Sequence, residues 1–291
     1  MAKLHTASNP HEDIGSQEIL ETLLVEAGTA GLLPTNEKKL LSFLGLQQLS
    51  FDFMSEVPFV SKDAAPAGDL RAALHLDEKV VATQSGMGEQ RTRFSIFHEI
   101  AHCVLPDHFE NLFIDTDQTL SWWTKARMER EANQFAADLL FQGKLFTEQA
   151  LSLPTSLRTV LELAPSFGAS YEASLRRFTE LHVEPCALIV FQRVPHKEED
   201  GFIEDDEYRV QYTVTSPSFR RLYFSAVQVT GGKCKSEDIF GVRSGWPLSS
   251  VVERELTIDR DEQPAWHFAT EVFTNSYKIF QFLKHPLSQP Q

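Results

Sequence analysis

The chain has 291 residues, 42% of them hydrophobic, with 27 basic against 41 acidic side chains and a net charge of −14. That length can bury a substantial core and hold two domains, while the surplus of acid argues against direct nucleic-acid binding, which needs Lys and Arg clusters to meet phosphates. No apolar run of eighteen residues and no secretory signal are present, and Cys103, Cys186 and Cys234 are too scattered for a disulfide framework, so a cytoplasmic protein without membrane spans is expected.

In chain order, residues 1–15 are polar, and Ser16 can cap a helix carrying Leu20, Leu23, Leu24 and Ala27 that ends at Gly28 or Gly31. Pro34-Thr35 opens a second helix with Leu40, Leu41, Phe43 and Leu44. Leu49, Phe51 and Phe53 then alternate as in a strand, and 61–68 reads as a loop. Residues 72–76 and 79–83 read as two short strands joined at Asp77-Glu78. From 93 to 105 there is neither Gly nor Pro, Phe94, Phe97, Ala101, Val104 and Leu105 recur at helical spacing, and Pro106 ends the run.

That helix carries His98-Glu99-Ile100-Ala101-His102. Residues four apart share a helix face, so both imidazoles can reach one metal ion, with Glu99 one step round to act on a water molecule there. Two ligands and a general base in five residues form the zinc-peptidase signature. Strands followed by such a helix match a zincin core, in which an edge strand aligns an extended peptide beside the metal.

A catalytic zinc takes three protein ligands, and two candidates for the third present themselves. Glu129 lies in a strong helix-forming run at 126–140, on the stripe of Ala132, Asn133, Ala136 and Leu140, where an inward carboxylate needs a partner. Glu131 falls on the flank with Asp138 and Gln142 and reads as a solvated edge. The spacing of His98 to His108 reproduces the longer metzincin motif, but Leu105 and Pro106 stand where that motif needs a turning glycine. His108 could also lie near the metal as a hydrogen-bond donor. Cys103 points off the ligand face and reads as packing.

Residues 106–119 read as a flap beside the cleft, and Trp122-Trp123 open the next helix. Helices at 156–163 and 171–181 flank 165–170 in a helix-turn-helix-like arrangement, with Ser170 as cap and Tyr171, Leu175 and Phe178 on one face. Its Arg and Glu residues balance, which favours a structural or docking role over DNA reading. From 183 the pattern turns to strands at 186–191, 209–215, 221–230 and 266–273, with an acidic loop at 197–207 and a turn at Gly231-Gly232.

Arg93-Phe94-Ser95-x-x-His98-Glu99-x-x-His102, followed by Glu129-x-Glu131-Ala132-Asn133-x-Phe135-Ala136-Ala137-x-Leu139-Leu140, resembles the ImmA/IrrE family of metallopeptidases over about 70–182. One departure is visible: the family's second helix usually ends Leu-Leu-Met-Pro, and here Phe141-Gln142-Gly143 follows Leu140. The resemblance implies His98, His102 and Glu129 as ligands of zinc, or of manganese, with Glu99 as base. It also implies cleavage of a helix-turn-helix repressor that switches on stress-response, DNA-damage or mobile-element genes. The expected architecture is α+β: a zincin-like core over 1–150, a helix-turn-helix-like segment over 151–182 and a β-rich antiparallel domain over 183–291. That last domain is a GAF-like sensor by resemblance to radiation-response members, or a protein-interaction sheet. The alternatives in function are a non-proteolytic metal-binding regulator and a toxin–antitoxin component acting by binding.

Overall fold

The computed structural model describes residues 13–53, 71–106, 108, 122–193, 207–223, 233–235, 251–260, 263–275 and 277–284. The expected loop at 61–68, the flap apart from Pro106 and His108, the acidic stretch before 207 and the Gly231-Gly232 turn lie outside these residues. The fold is α+β and consists of two compact units. The first comprises 1–146 with Ser166–Ala169, the second Thr147–Pro165 with the remainder from 170. Among the described residues, no helix is long and apolar enough to cross a membrane.

The first unit runs α1 (Asp13–Glu26), α2 (Glu37–Leu44), β1 (Gln47–Phe51), β2 (Ala72–His75), β3 (Val80–Gln84), α3 (Glu89–Val104) and α4 (Trp122–Phe141). α1 begins three residues ahead of the expected cap at Ser16. α2 opens not at Pro34-Thr35 but after its cap Asn36, whose side chain accepts from the Lys39 amide at 3.0 Å, and Gly45 closes the helix at φ 68°. The buried Gln142 side chain holds the turn after α1, accepting from the Gly31 amide at 2.7 Å and donating to the Leu32 carbonyl at 2.6 Å.

The three strands are ordered β1–β3–β2, with β1 parallel and β2 antiparallel to β3. The strand at 80–84 is therefore central, and β1 and β2 occupy both its sides. Of the two strands expected before the metal helix, the one at 80–84 has no free side for an extended peptide, and the aligning edge of a zincin core is not this strand. β2 is an edge strand among the described residues and packs against α3. Leu49 of β1 is exposed, so the alternation of Leu49 and Phe51 does not mark a half-buried strand. α3 buries Ile96, Phe97, Ile100 and Ala101 completely or nearly so, and lies along α4, which buries Ala132, Ala136 and Leu139. Phe167 completes this core, with its ring 5.1 Å from Phe146 and 6.0 Å from Phe141. Gly168 follows at φ +60°, where a Cβ would stand 2.1 Å from Nη1 of the buried Arg93.

Elsewhere lie α5 (Lys144–Leu151), α6 (Leu157–Phe167), α7 (Tyr171–Leu181), β4 (Cys186–Arg193), β5 (Glu207–Thr215), α8 (Pro217–Tyr223), β6 (Lys233–Lys235), β7 (Val252–Arg260), β8 (Gln263–Thr274) and β9 (Lys278–Lys284). Pro165, expected to mark a turn, sits inside α6, which continues to Phe167. The start of the expected strand at 221–230 is instead helical. Ser216 caps α8, its Oγ accepting from the Phe219 amide at 3.1 Å, and Pro217 takes the first helical position, where a missing N–H costs nothing. The six strands form one antiparallel sheet in the order β6–β5–β4–β9–β8–β7.

Glu271 of β8 is 2% exposed and binds the start of α6, accepting from Ser156 Oγ at 3.0 Å and from the Leu157 amide, and it pairs with Lys284 of β9. A carboxylate there meets the positive end of the helix dipole. Glu271→Ala leaves that end and the lysine unpaired and is expected to destabilise the protein by about 3 kcal/mol. A urea unfolding midpoint displaced by no more than a surface substitution's ~0.5 kcal/mol would count against this role.

Candidate metal centre

α3 presents His98 and His102 one turn apart, their rings edge to face with Nε2 atoms 3.1 Å apart. α4 brings Glu129 against both. Its Oε2 lies 3.2 Å from His98 Nε2 and its Oε1 3.7 Å from His102 Nε2. One donor atom from each of the three falls within 4.8 Å of the others. Two nitrogens bound to one tetrahedral zinc at 2.0–2.1 Å stand about 3.3 Å apart, so the spacing fits such an ion.

The electrostatics suit a cation. Burial, then the neighbouring His98, hold His102 down to about 4, so it is a neutral imidazole with a lone pair to give. Burial also pulls on His98, but its hydrogen bond to Glu129 and the charges of Glu99 and Glu129 outweigh it and raise its pKa. Glu129 is lowered, first by its hydrogen bond with His98, and stays ionised. Glu99 is 8% exposed; burial pushes it up to about 7, against His98 and a backbone hydrogen bond from Leu74 of β2. A carboxyl poised there can both take and return a proton near neutrality.

α4 supplies more than the carboxylate. Asn133, one turn after Glu129, hydrogen-bonds the His98 ring and donates from Nδ2 to the Glu129 carbonyl at 2.7 Å. Glu131 is not the solvated edge its position suggested: its Oε2 lies 3.1 Å from His108 Nε2. His108 is 1% exposed, and its Nδ1 lies 3.1 Å from Nδ1 of His102, on the side of that ring away from Glu129. It thus stands behind a candidate ligand rather than beside it. The sequence signal for Glu131 and Asn133 lies in the Glu129-x-Glu131-Ala132-Asn133 run: Glu129 and Asn133, one turn apart, meet the α3 histidines, and Glu131 meets His108 beyond the end of α3. Cys103 is half-buried and outside the donor group.

Residues 59–179 match the Peptidase_M78 family model, the IrrE N-terminal-like domain, which contains both motifs. The fold of that segment is metallopeptidase-like, and the family is metal-dependent. A solved Mycobacterium tuberculosis transcriptional regulator shares the fold at TM-score 0.50 and 16% identity, over 93% of this chain and 76% of that one. No curated protein matches the chain.

Proposed function

We propose that the chain is a zinc-dependent endopeptidase that cleaves a partner protein, a helix-turn-helix transcriptional repressor, and thereby switches on stress-response, DNA-damage or mobile-element genes in the cytoplasm. The observation that carries this reading is the convergence of His98, His102 and Glu129 beside the buried carboxyl of Glu99. A purely structural metal has no use for a base next to its open side.

His98, His102 and Glu129 would hold the ion. A bound zinc or manganese ion would supply the polarisation of the scissile carbonyl and a water pKa lowered toward ~7. Glu99 takes the proton of the attacking water on its carboxylate and returns it to the leaving amine. The Leu74 backbone hydrogen bond holds that carboxylate against β2. The edge of β2 is where an extended substrate segment can lie. A net charge of −14 suits a small partner with a basic DNA-binding face and disfavours contact with DNA itself. The segment 151–182 acts as a docking element, and the sheet from 183 onward as a sensor of GAF-like type or a partner surface.

The test is incubation of the zinc-loaded chain with helix-turn-helix repressors encoded near it, followed by mass spectrometry. A discrete pair of fragments that disappears with chelator is expected. Release of the operator without fragments assigns the protein to the regulators that act by binding.

A further inference from the structure

His108 fills neither a ligand position nor an ordinary packing role, since both its nitrogens face polar atoms in a buried setting. The alignment has only one consistent set of protons with a neutral ring. Glu131 offers lone pairs alone, so His108 Nε2 carries the hydrogen and donates to Oε2. His108 Nδ1 is then an acceptor. His102 Nδ1, 3.1 Å away, must donate to it. That leaves the lone pair of His102 on Nε2, the atom facing His98 and Glu129. The opposite assignment would place a bare ring nitrogen against the carboxylate and a hydrogen on His102 Nε2, where the donor group converges.

We propose that Glu131 and His108 form an orienting relay that fixes the tautomer and ring angle of His102, so that its Nε2 lone pair is set for the metal before the metal arrives. The proposal rests on the metal-site reading and extends it to two residues that touch neither ion nor substrate. Arg127, one turn before Glu131 with Nε 3.7 Å from Oε1, anchors the far end. The two histidine ligands are thus supported differently: His98 by the neutral amide of Asn133, His102 by a charged carboxylate acting through a second imidazole. Partners of this kind raise ligand basicity and hold ring geometry, and their loss weakens metal binding by ~10–100-fold.

The experiment is zinc affinity of the full chain, by competition with a chromophoric chelator, for wild type, His108→Ala, Glu131→Gln and the double variant. Histidine nitrogen NMR of the zinc-loaded protein gives a second readout. Each single variant is expected to bind zinc ~10–100-fold more weakly. The double variant should be no worse than the weaker single, because both cut one chain of bonds. The exchange-protected Nδ1–H signal of His102 should be lost with His108→Ala. If His108→Ala fails to fold, Glu131→Gln carries the test, being a same-size change at a half-exposed helix position. Variants that match wild type in affinity, or losses that add, overturn the relay. Wild type that binds no zinc overturns the metal-site reading itself, a result the variants cannot mimic.

Discussion

Glu99→Gln is expected to retain zinc and the protein partner while cleavage falls by at least ~100-fold, the lower end of a general base's contribution. Gln has the same length, and its amide oxygen can still accept the Leu74 backbone hydrogen bond, so the buried side chain keeps its place. What it cannot do is take a proton from water. The measurement follows wild type and variant, each mixed with the repressor, by gel and by operator binding. Fragments from wild type alone, with the repressor still captured by the variant, fit a protease. Equal loss of operator binding in both, with no fragment from either, would sink the protease reading.

Removing a donor is expected to act earlier, on the metal itself. His98→Ala, His102→Ala and Glu129→Gln should each lower zinc affinity by more than the ~100-fold that losses outside the ligand group reach. Purified wild type should carry about one divalent ion per chain, since three protein ligands and an open position define one such site. Glu129→Gln is the informative member. It keeps the side chain's size on a half-exposed stretch of α4 but removes the charge that lies between both histidines. If Glu129→Gln kept its metal while His108→Ala lost it entirely, the ligands would be the three histidines of a metzincin-like site. Metal analysis after dialysis and zinc add-back decides between them.

Much of the first unit was legible because its chemistry is local. Five residues of α3 carry both candidate histidine donors and the candidate base, and the 3.6-residue period sets Glu129 on the stripe of Ala132 and Ala136, where it meets both histidines although its side chain stays half-exposed. Glu131 was misread for the opposite reason. Its partner, His108, lies 23 residues back, and helical period alone cannot reveal a pairing across that distance. Strand order failed similarly: 72–76 and 79–83 were visible as strands, but only the parallel partner 47–51 shows that the second is central and the first an edge. Ser216-Pro217 carries the α8 cap, but the alternation over 221–230 reads as a strand, and only the helix shows that its first residues belong to α8. The strands β7 and β9 carry no motif: β7 pairs with its sequence neighbour β8, whereas β9 pairs both with β8 and with the distant β4.

The return of Ser166–Ala169 to the first unit bears on how that unit can be made or cut. Phe167 is fully buried against Phe141 and Phe146, and the Ala169 carbonyl accepts from Gln90 Nε2 at 3.2 Å. On the ribosome, Ala169 is joined about 1–5 s after Phe146 at ~5–20 residues per second, so two aromatic faces wait uncovered while 147–165 are synthesised. A proteolytic or engineered fragment stopping at 146 would lack one large aromatic of its own core, a deficit of the order of a Phe→Ala change, ~3–5 kcal/mol. The unit that carries the candidate metal centre is therefore discontinuous in the gene, and a fragment that keeps its core intact has to extend through Ala169.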